Sequence, residues 1–294
     1  EMEENQNLDT KDCITPGNVA HELADTVIPA KANFRKSKTF VLAIAAGALI
    51  AFGAQVSLTV MTGTEQLSWG IAKLVGAMTF ATGLMMVVLT GAELFTGNVM
   101  MTFAVIERKT SIWKLLRNWS IVYAGNFVGS ILLAYLVYLS GCSHNSHEAL
   151  GVLSLNTAYM KVNLTFLEAF TRGILCNWLV CLAIWMASSS RHVIGKIFAI
   201  FFPIMTFVAS GYEHSIANMF FIPNGLFAKM TPSIVAAAGL TPEQLSTLTV
   251  KSFLLHNLLP VTLGNITGAF VFVVMFFWIA YLKDDHHTHH HNKH

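Results

Sequence analysis

Six long apolar runs separated by short polar stretches dominate the chain, at about 40–62, 69–106, 112–140, 162–188, 194–228 and 250–282. A helix crosses a bilayer with roughly 20 predominantly apolar residues, so every run is long enough to span. The second and fifth are too long for one simple crossing, and each carries a polar cluster near its middle. Both are expected to be broken helices, two half-helices joined by non-helical backbone at membrane depth. Such backbone persists only where protein buries it or where it lines a wet cavity.

The two clusters repeat one another. Gly91-Ala-Glu93-Leu-Phe-Thr-Gly97-Asn98 and Gly211-Tyr-Glu213-His-Ser-Ile-Ala217-Asn218 share the pattern Gly-x-Glu-x-x-x-small-Asn without a gap. A second pair follows in the same order, Gly125-Asn126 with Gly129 and Gly264-Asn265 with Gly268. With three runs in each half, the second half enters the membrane upside down relative to the first. An all-α integral membrane protein of six transmembrane helices in two inverted three-helix repeats, with the second and fifth helices broken, is the expected fold. In such transport architectures the substrate path lies along the repeat interface near the midplane. Half-helix N-termini directed into that path favour an anion. Polar or ionisable residues inside a membrane span are expensive, which makes Glu93, Glu213, His214, Asn98 and Asn218 candidates for function. The plainer alternative is a polar knot that only holds helices together.

Composition agrees with the membrane assignment: 54% of residues are hydrophobic and 12% charged in a chain of 294. A net charge of +2 without a basic patch gives no reason to expect a nucleic-acid partner. Cys13, Cys142, Cys176 and Cys181 have neither disulfide nor metal spacing and read as buried thiols. Residues 1–38 form a polar segment in which Asn18 is expected to cap a short amphipathic helix from Val19 to Ile28, stopping at Pro29. That helix suits a membrane surface, with docking or gating as the sharper alternative. The start is acidic and lacks an apolar core, so no cleavable signal peptide is expected. Residues 39–283 then make the transmembrane domain, and 284–294 a His-rich tail. Thirteen of the 18 Lys and Arg, Lys31 among them, fall on one side of the spans. Lys73, Lys161, Lys229 and Lys251 fall on the other, and Arg172 lies within the fourth run. By the positive-inside rule both termini are cytoplasmic, which places the protein in the cell membrane as a multi-pass protein. The stretch 141–160 reads as a polar outer connection. Its His144 and His147 lack a carboxylate or Cys to complete a metal site, and no cofactor is expected.

Ala92-Glu-Leu-Phe-Thr-Gly-Asn98, Ala209-Ser-Gly-Tyr-Glu-His-Ser-Ile-Ala-Asn-Met219, Leu175-Cys-Asn-Trp-Leu-Val-Cys-Leu-Ala183 and Val261-Thr-Leu-Gly-Asn265 together carry a resemblance. By these segments the chain resembles the formate–nitrite transporter family over nearly all of residues 30–283. The resemblance implies an aquaporin-like fold, a homopentamer with one pore per subunit, and passage of small monovalent anions such as formate, nitrite or hydrosulfide. It further implies that His214 is the central pore histidine, that Thr96 faces it, and that Lys161 stands at the outer vestibule. Phe80 and Phe207 would form the hydrophobic constrictions, with Leu84 and Leu94 as apolar lining and Asn177 and Asn265 around the central chamber. One departure is Arg172. The formate branch usually has an apolar residue there, and the nitrite-type branch tends to carry a basic one. Arg172 either pairs with Glu168 at i, i+4 or tunes the choice of anion.

An anion must shed water to pass Phe and Leu walls. The idealised cost for a bare ion is on the order of 20 kcal/mol, with several kcal/mol left after relaxation. A neutral weak acid loses far less, so protons are expected partners beside the anions and the lipid bilayer. His214 is the candidate to relay the proton or to hold the anion while charged. Glu93 and Glu213 are expected to satisfy backbone N–H groups freed at the breaks. A pore for neutral solutes of the aquaporin kind is the alternative, but the breaks carry no Asn-Pro-Ala pair. An intramembrane enzyme ranks last, since His214 has no second His or Asp on its face.

Overall fold

The computed structural model describes residues 12–283, so the His-rich tail lies outside the described residues. Within them all regular structure is helical, apart from one isolated backbone bridge between Cys13 and Ser190. Five helices are long and apolar enough to cross a membrane: α3 (Lys36–Met61), α4 (Trp69–Thr90), α6 (Ile112–Leu139), α8 (Phe166–Ser188) and α13 (Ser252–Tyr281). Shorter helices complete the set. They include α1 (Pro16–Glu22), α2 (Ile28–Ala32), α5 (Phe95–Ile106), α7 (Ala149–Val162), α9 (Val193–Ala209) and α10 (Ser215–Lys229). The connection after α10 folds into α11 (Pro232–Ala238) and α12 (Pro242–Thr247).

The long apolar runs leave the helix where the polar motifs stand. After Thr90 the chain turns through Gly91 at φ +70° and resumes as helix only at Phe95. After Ala209 it turns through Gly211 at φ +77° and resumes at Ser215. Both glycines occupy the left-handed region that side chains with a Cβ avoid.

α3 packs on α4 and α6, α8 on α9 and α13, and α4 meets α9 across the middle. Glycine contacts set the closest of these approaches. A Cβ on Gly173 of α8 would meet the Val261 carbonyl oxygen at 2.7 Å and the Gly264 Cα at 3.1 Å, so the two backbones touch directly. Helix association in lipid depends on such small-residue contacts, because burial from lipid brings no hydrophobic gain.

Several expectations change. The N-terminal helix begins at Pro16 after Thr15 rather than at an Asn18 cap, and does not stop at Pro29. A π-helical turn over Leu23–Val27, closed by Ile28 N–H to the Leu23 carbonyl, widens the helix just before the proline, and the chain continues to Ala32. Its apolar face, with Val19, Leu23 and Ile28, packs against Met100, Met101, Phe103 and Leu115, so protein rather than lipid covers it. The stretch 141–160 is no plain connection, since α7 occupies most of it and packs on α10. Cys176 and Cys181 are buried, but Cys13 is exposed and Cys142 half-buried.

Gly173→Ala is expected to destabilise the protein by about 1–3 kcal/mol through overpacking against a backbone that cannot yield. Thermal unfolding in detergent reads the effect. Gly17→Ala, whose Cβ would meet nothing within 4 Å, should not lower the melting temperature.

Candidate functional site

The two interruptions are held by a matching set of hydrogen bonds. At the first, the Phe95 N–H donates to Asn126 Oδ1 at 2.9 Å, while Asn126 Nδ2 donates to the carbonyls of Ala43 (2.7 Å) and Glu93 (2.9 Å). At the second, the Ser215 N–H donates to Asn265 Oδ1 at 2.9 Å, while Asn265 Nδ2 donates to the carbonyls of Gly173 (2.8 Å) and Glu213 (3.0 Å). The Glu93 and Glu213 N–H groups reach the carbonyls of Leu42 and Arg172 at 3.2 Å each. Freed backbone groups are thus satisfied by two asparagines and by neighbouring helices, not by the glutamate side chains as expected. Asn126 was legible as part of a repeated Gly-Asn pair, yet its place at the site was missed.

The glutamates serve a different network. Glu93 Oε2 accepts from Asn98 Nδ2 at 2.6 Å and Glu93 Oε1 lies 3.3 Å from Lys31 Nζ. Asn98 also donates to Asn118. Across the molecule, Glu213 Oε2 accepts from Asn218 Nδ2 at 2.5 Å, Glu213 Oε1 lies 2.8 Å from Lys161 Nζ, and Asn218 donates to Asn257. Each carboxylate is buried and each has a lysine from a short helix, α2 or α7. Neither pairing was visible in sequence, because partners so far apart in the chain show no spacing.

Two cavities flank the interruptions. One, of about 170 Å³, is lined by Lys73, Phe80, Lys161, Arg172, Phe207, Tyr212, Glu213, His214 and Asn218, among others. The second, of about 190 Å³, is lined by Lys31, Leu84, Val88, Leu94, Asn98 and Ile184, among others. Phe80 and Phe207 meet edge to face with centroids 5.7 Å apart, and the Phe207 ring lies 6.0 Å from the imidazole of His214. His214 Nε2 is 2.9 Å from Thr96 Oγ1, so the two interruptions touch at this pair. His214 Nδ1 accepts the Ala217 N–H at 3.0 Å and caps α10. An amide can only donate, so the neutral ring carries its proton on Nε2 and gives it to the Thr96 hydroxyl oxygen. Leu94, the N-cap at the other interruption, makes no side-chain cap.

The expected site residues therefore separate into groups. Phe80, Phe207, His214 and Lys161 line the first cavity, and Leu84 and Leu94 the second. Asn177 is fully buried, donating to the carbonyls of Thr96 (3.1 Å) and Asn265 (2.8 Å), and with Asn265 it belongs to the scaffold. Arg172 does not pair with Glu168, whose carboxylate instead closes a capping box with Thr165. His144 has a carboxylate beside it after all. Glu148 Oε1 is 3.0 Å from its Nδ1, and that bond, helped by Ser233, holds the Glu148 carboxyl below the usual carboxylate range. No group of three or more His, Cys, Asp or Glu capable of holding a metal assembles among the described residues.

A family model described as formate/nitrite transporter matches residues 18–279. The chain is 44% identical over 260 residues to the formate channel FocA of Escherichia coli strain K12, across 87% of this chain and 91% of that protein. It is 39% identical over 275 residues to the formate channel FocA of Haemophilus influenzae, across 93% of this chain and 96% of that one. A solved structure described as a pentameric formate channel with formate bound superposes with a TM-score of 0.77 at 39% identity, covering 84% of this chain and 98% of that one. These relatives are channels rather than enzymes, and with the apolar helices they make this chain a multi-pass membrane protein.

Glu213→Gln keeps an acceptor for Asn218 but strands the Lys161 ammonium, whose side chain is only 16% exposed. Removing one partner of a buried pair costs about 3–5 kcal/mol, and partial exposure places this case at the low end. The double variant Lys161→Met, Glu213→Gln should recover much of that loss. Melting of the wild type and the two variants in detergent decides it; equal melting of the single and double variants would show that the stranded ammonium costs nothing.

Proposed function

This chain belongs to the formate/nitrite transporter family, and we propose that it is a channel for small monovalent anions of the formate type. Nitrite and hydrosulfide are further candidates, and proton movement is governed at His214. The observation that carries this reading is the arrangement around the interruptions. A cation-lined cavity borders the Phe80–Phe207 pair and His214, His214 meets Thr96, and a second cavity lies beside Lys31. The chain would cross the membrane six times, with α4–α5 and α9–α10 as the broken second and fifth crossings of two inverted repeats. The matched networks at Glu93 and Glu213 support that symmetry. Both termini would face the cytoplasm, placing the Lys31 cavity inside and the Lys161 cavity outside, in a homopentamer like the solved relative.

The protonation of His214 is tied to the shape of the path. A charged imidazole has hydrogens on both nitrogens and offers no lone pair to the Ala217 N–H. Charging the ring therefore breaks the cap of α10 and moves the ring away from its position between Phe207 and Thr96. In the neutral state the ring is a fixed donor, and the Thr96 hydroxyl, occupied as acceptor, has its own hydrogen free for a passing anion. Asn218 Oδ1, buried and without a hydrogen-bond partner among the described residues, can accept the O–H of a neutral weak acid or of a water. On this reading the anion takes up a proton from the solution on the side it enters and crosses the apolar pair as the acid, which avoids most of the desolvation cost.

In proteoliposomes, formate uptake should exceed that of empty vesicles by at least tenfold and change steeply between about pH 5 and 8, where imidazole changes charge. Water or glycerol flux without anion flux would overturn the proposal. His214→Asn offers hydrogen bonds at similar size but does not titrate in that range. The variant should show a flattened pH profile and altered proton movement by an internal pH dye. A wild-type profile and stoichiometry in His214→Asn would leave the ring a structural cap only.

A further inference from the structure

The cavity on the Lys161 side holds more positive charge than the family resemblance assigns to it. Three cations line it, Lys73, Lys161 and Arg172, against a single carboxylate, Glu213. Lys161 is committed: its ammonium is 2.8 Å from Glu213 Oε1 and lies over the Phe221 ring, 5.1 Å from the centroid. The charge it presents to the cavity is offset by a carboxylate less exposed than itself. Lys73 and Arg172 make no salt bridge and no side-chain hydrogen bond among the described residues. Lys73 rests its ammonium 5.9 Å from the centroid of the Trp69 ring. The one carboxylate near Arg172 on its own helix, Glu168, is engaged by Thr165.

Both side chains are placed by the scaffold. The Arg172 carbonyl receives the Glu213 N–H, and Gly173 beside it is pressed against Gly264, so the root of the guanidinium is fixed at the interruption. Lys73 stands seven residues before Phe80 on α4, which at 1.5 Å per residue puts it about 10 Å from the apolar constriction along the helix. The cavity of about 170 Å³ has room for a small anion and a few waters of about 30 Å³ each.

We propose that Lys73 and Arg172 form an anion-holding subsite of this cavity beside the paired Lys161, and that Arg172 favours planar two-oxygen anions over single-atom anions. The proposal rests on the anion-channel reading above. The chemistry of the two cations separates their roles. A guanidinium presents parallel N–H donors at the spacing of a carboxylate's two oxygens, a match that chloride or hydrosulfide cannot use. An ammonium is a point charge and attracts all these anions alike. Arg172 is the selecting group and Lys73 the collecting one.

Two measurements on the full-length wild type and on Arg172→Lys, Arg172→Gln, Lys73→Met and Lys251→Gln test this. One is the formate- and chloride-induced shift in melting temperature of the detergent-purified protein. The other is the half-saturating concentration for formate and chloride flux in liposomes. Arg172→Gln should raise the half-saturating formate concentration about tenfold while changing that for chloride less, and should lose most of the formate-induced shift. Arg172→Lys should restore chloride but only part of the formate effect. Lys73→Met should weaken both anions alike, and Lys251→Gln, which removes a charge outside the cavity, should match wild type. A formate half-saturation within twofold of wild type in both Arg172→Gln and Lys73→Met overturns the subsite while leaving the channel reading standing. A formate-induced shift that disappears in Arg172→Gln, together with no wild-type anion flux, keeps the subsite and overturns the channel reading. A wild type with neither shift nor saturable flux overturns the subsite.

Discussion

Every peptide group that leaves a helix inside a membrane must find a partner in the protein, and two asparagine side chains supply matching partners at both interruptions. Asn126 and Asn265 each use both ends of their amide. The oxygen takes the first N–H of a new helix, and the nitrogen gives to a carbonyl on the adjacent helix and to the glutamate carbonyl at the interruption. An unsatisfied group at this depth costs several kcal/mol, so these amides decide whether the chain can stop being helical there at all. The cavities, the aromatic pair and the histidine contact all depend on that permission. Gly91 and Gly211 supply the turn, but a turn without the amides would leave the backbone unpaired.

Charge is handled in the same way at both interruptions, and the two differ at the residue that begins the second helix. Glu93 and Glu213 each meet one asparagine and one lysine, so neither carboxylate is left alone in the interior. The N-cap positions are Leu94 and His214. Leu94 closes its cavity with an apolar wall, whereas His214 adds a cap, a donor to Thr96 and a ring that stacks near Phe207. Two matching networks thus bring one imidazole to the contact between the interruptions.

The interruptions were legible because they break a strong rule: a Gly-x-Glu cluster inside 30 or so apolar residues has few explanations in lipid. The flanking Gly-Asn pairs were legible as a repeat, but their task was given to the glutamates, since nothing local shows which side chain reaches a freed amide. α7 was missed because its Ser, Asn and Thr hid a regular face. Leu150, Gly151, Ser154, Leu155, Ala158 and Val162 are buried at helical spacing, and that period was the available signal. The lysine pairings, and the absence of a salt bridge at Arg172 among the described residues, are tertiary facts. Glu168 looked like a partner for Arg172 at i, i+4, yet as the third residue of its helix it is better used closing the capping box with Thr165.

The order of residues along the chain gives the lysine pairs a meaning for biogenesis. Lys31 is made before Glu93, and Lys161 before Glu213, so a ribosome always delivers the cation ahead of the acid it will neutralise. The partner of each carboxylate is therefore already synthesised when the carboxylate emerges. A chain with the opposite order would have to park a bare carboxylate in the insertion machinery until its partner was synthesised.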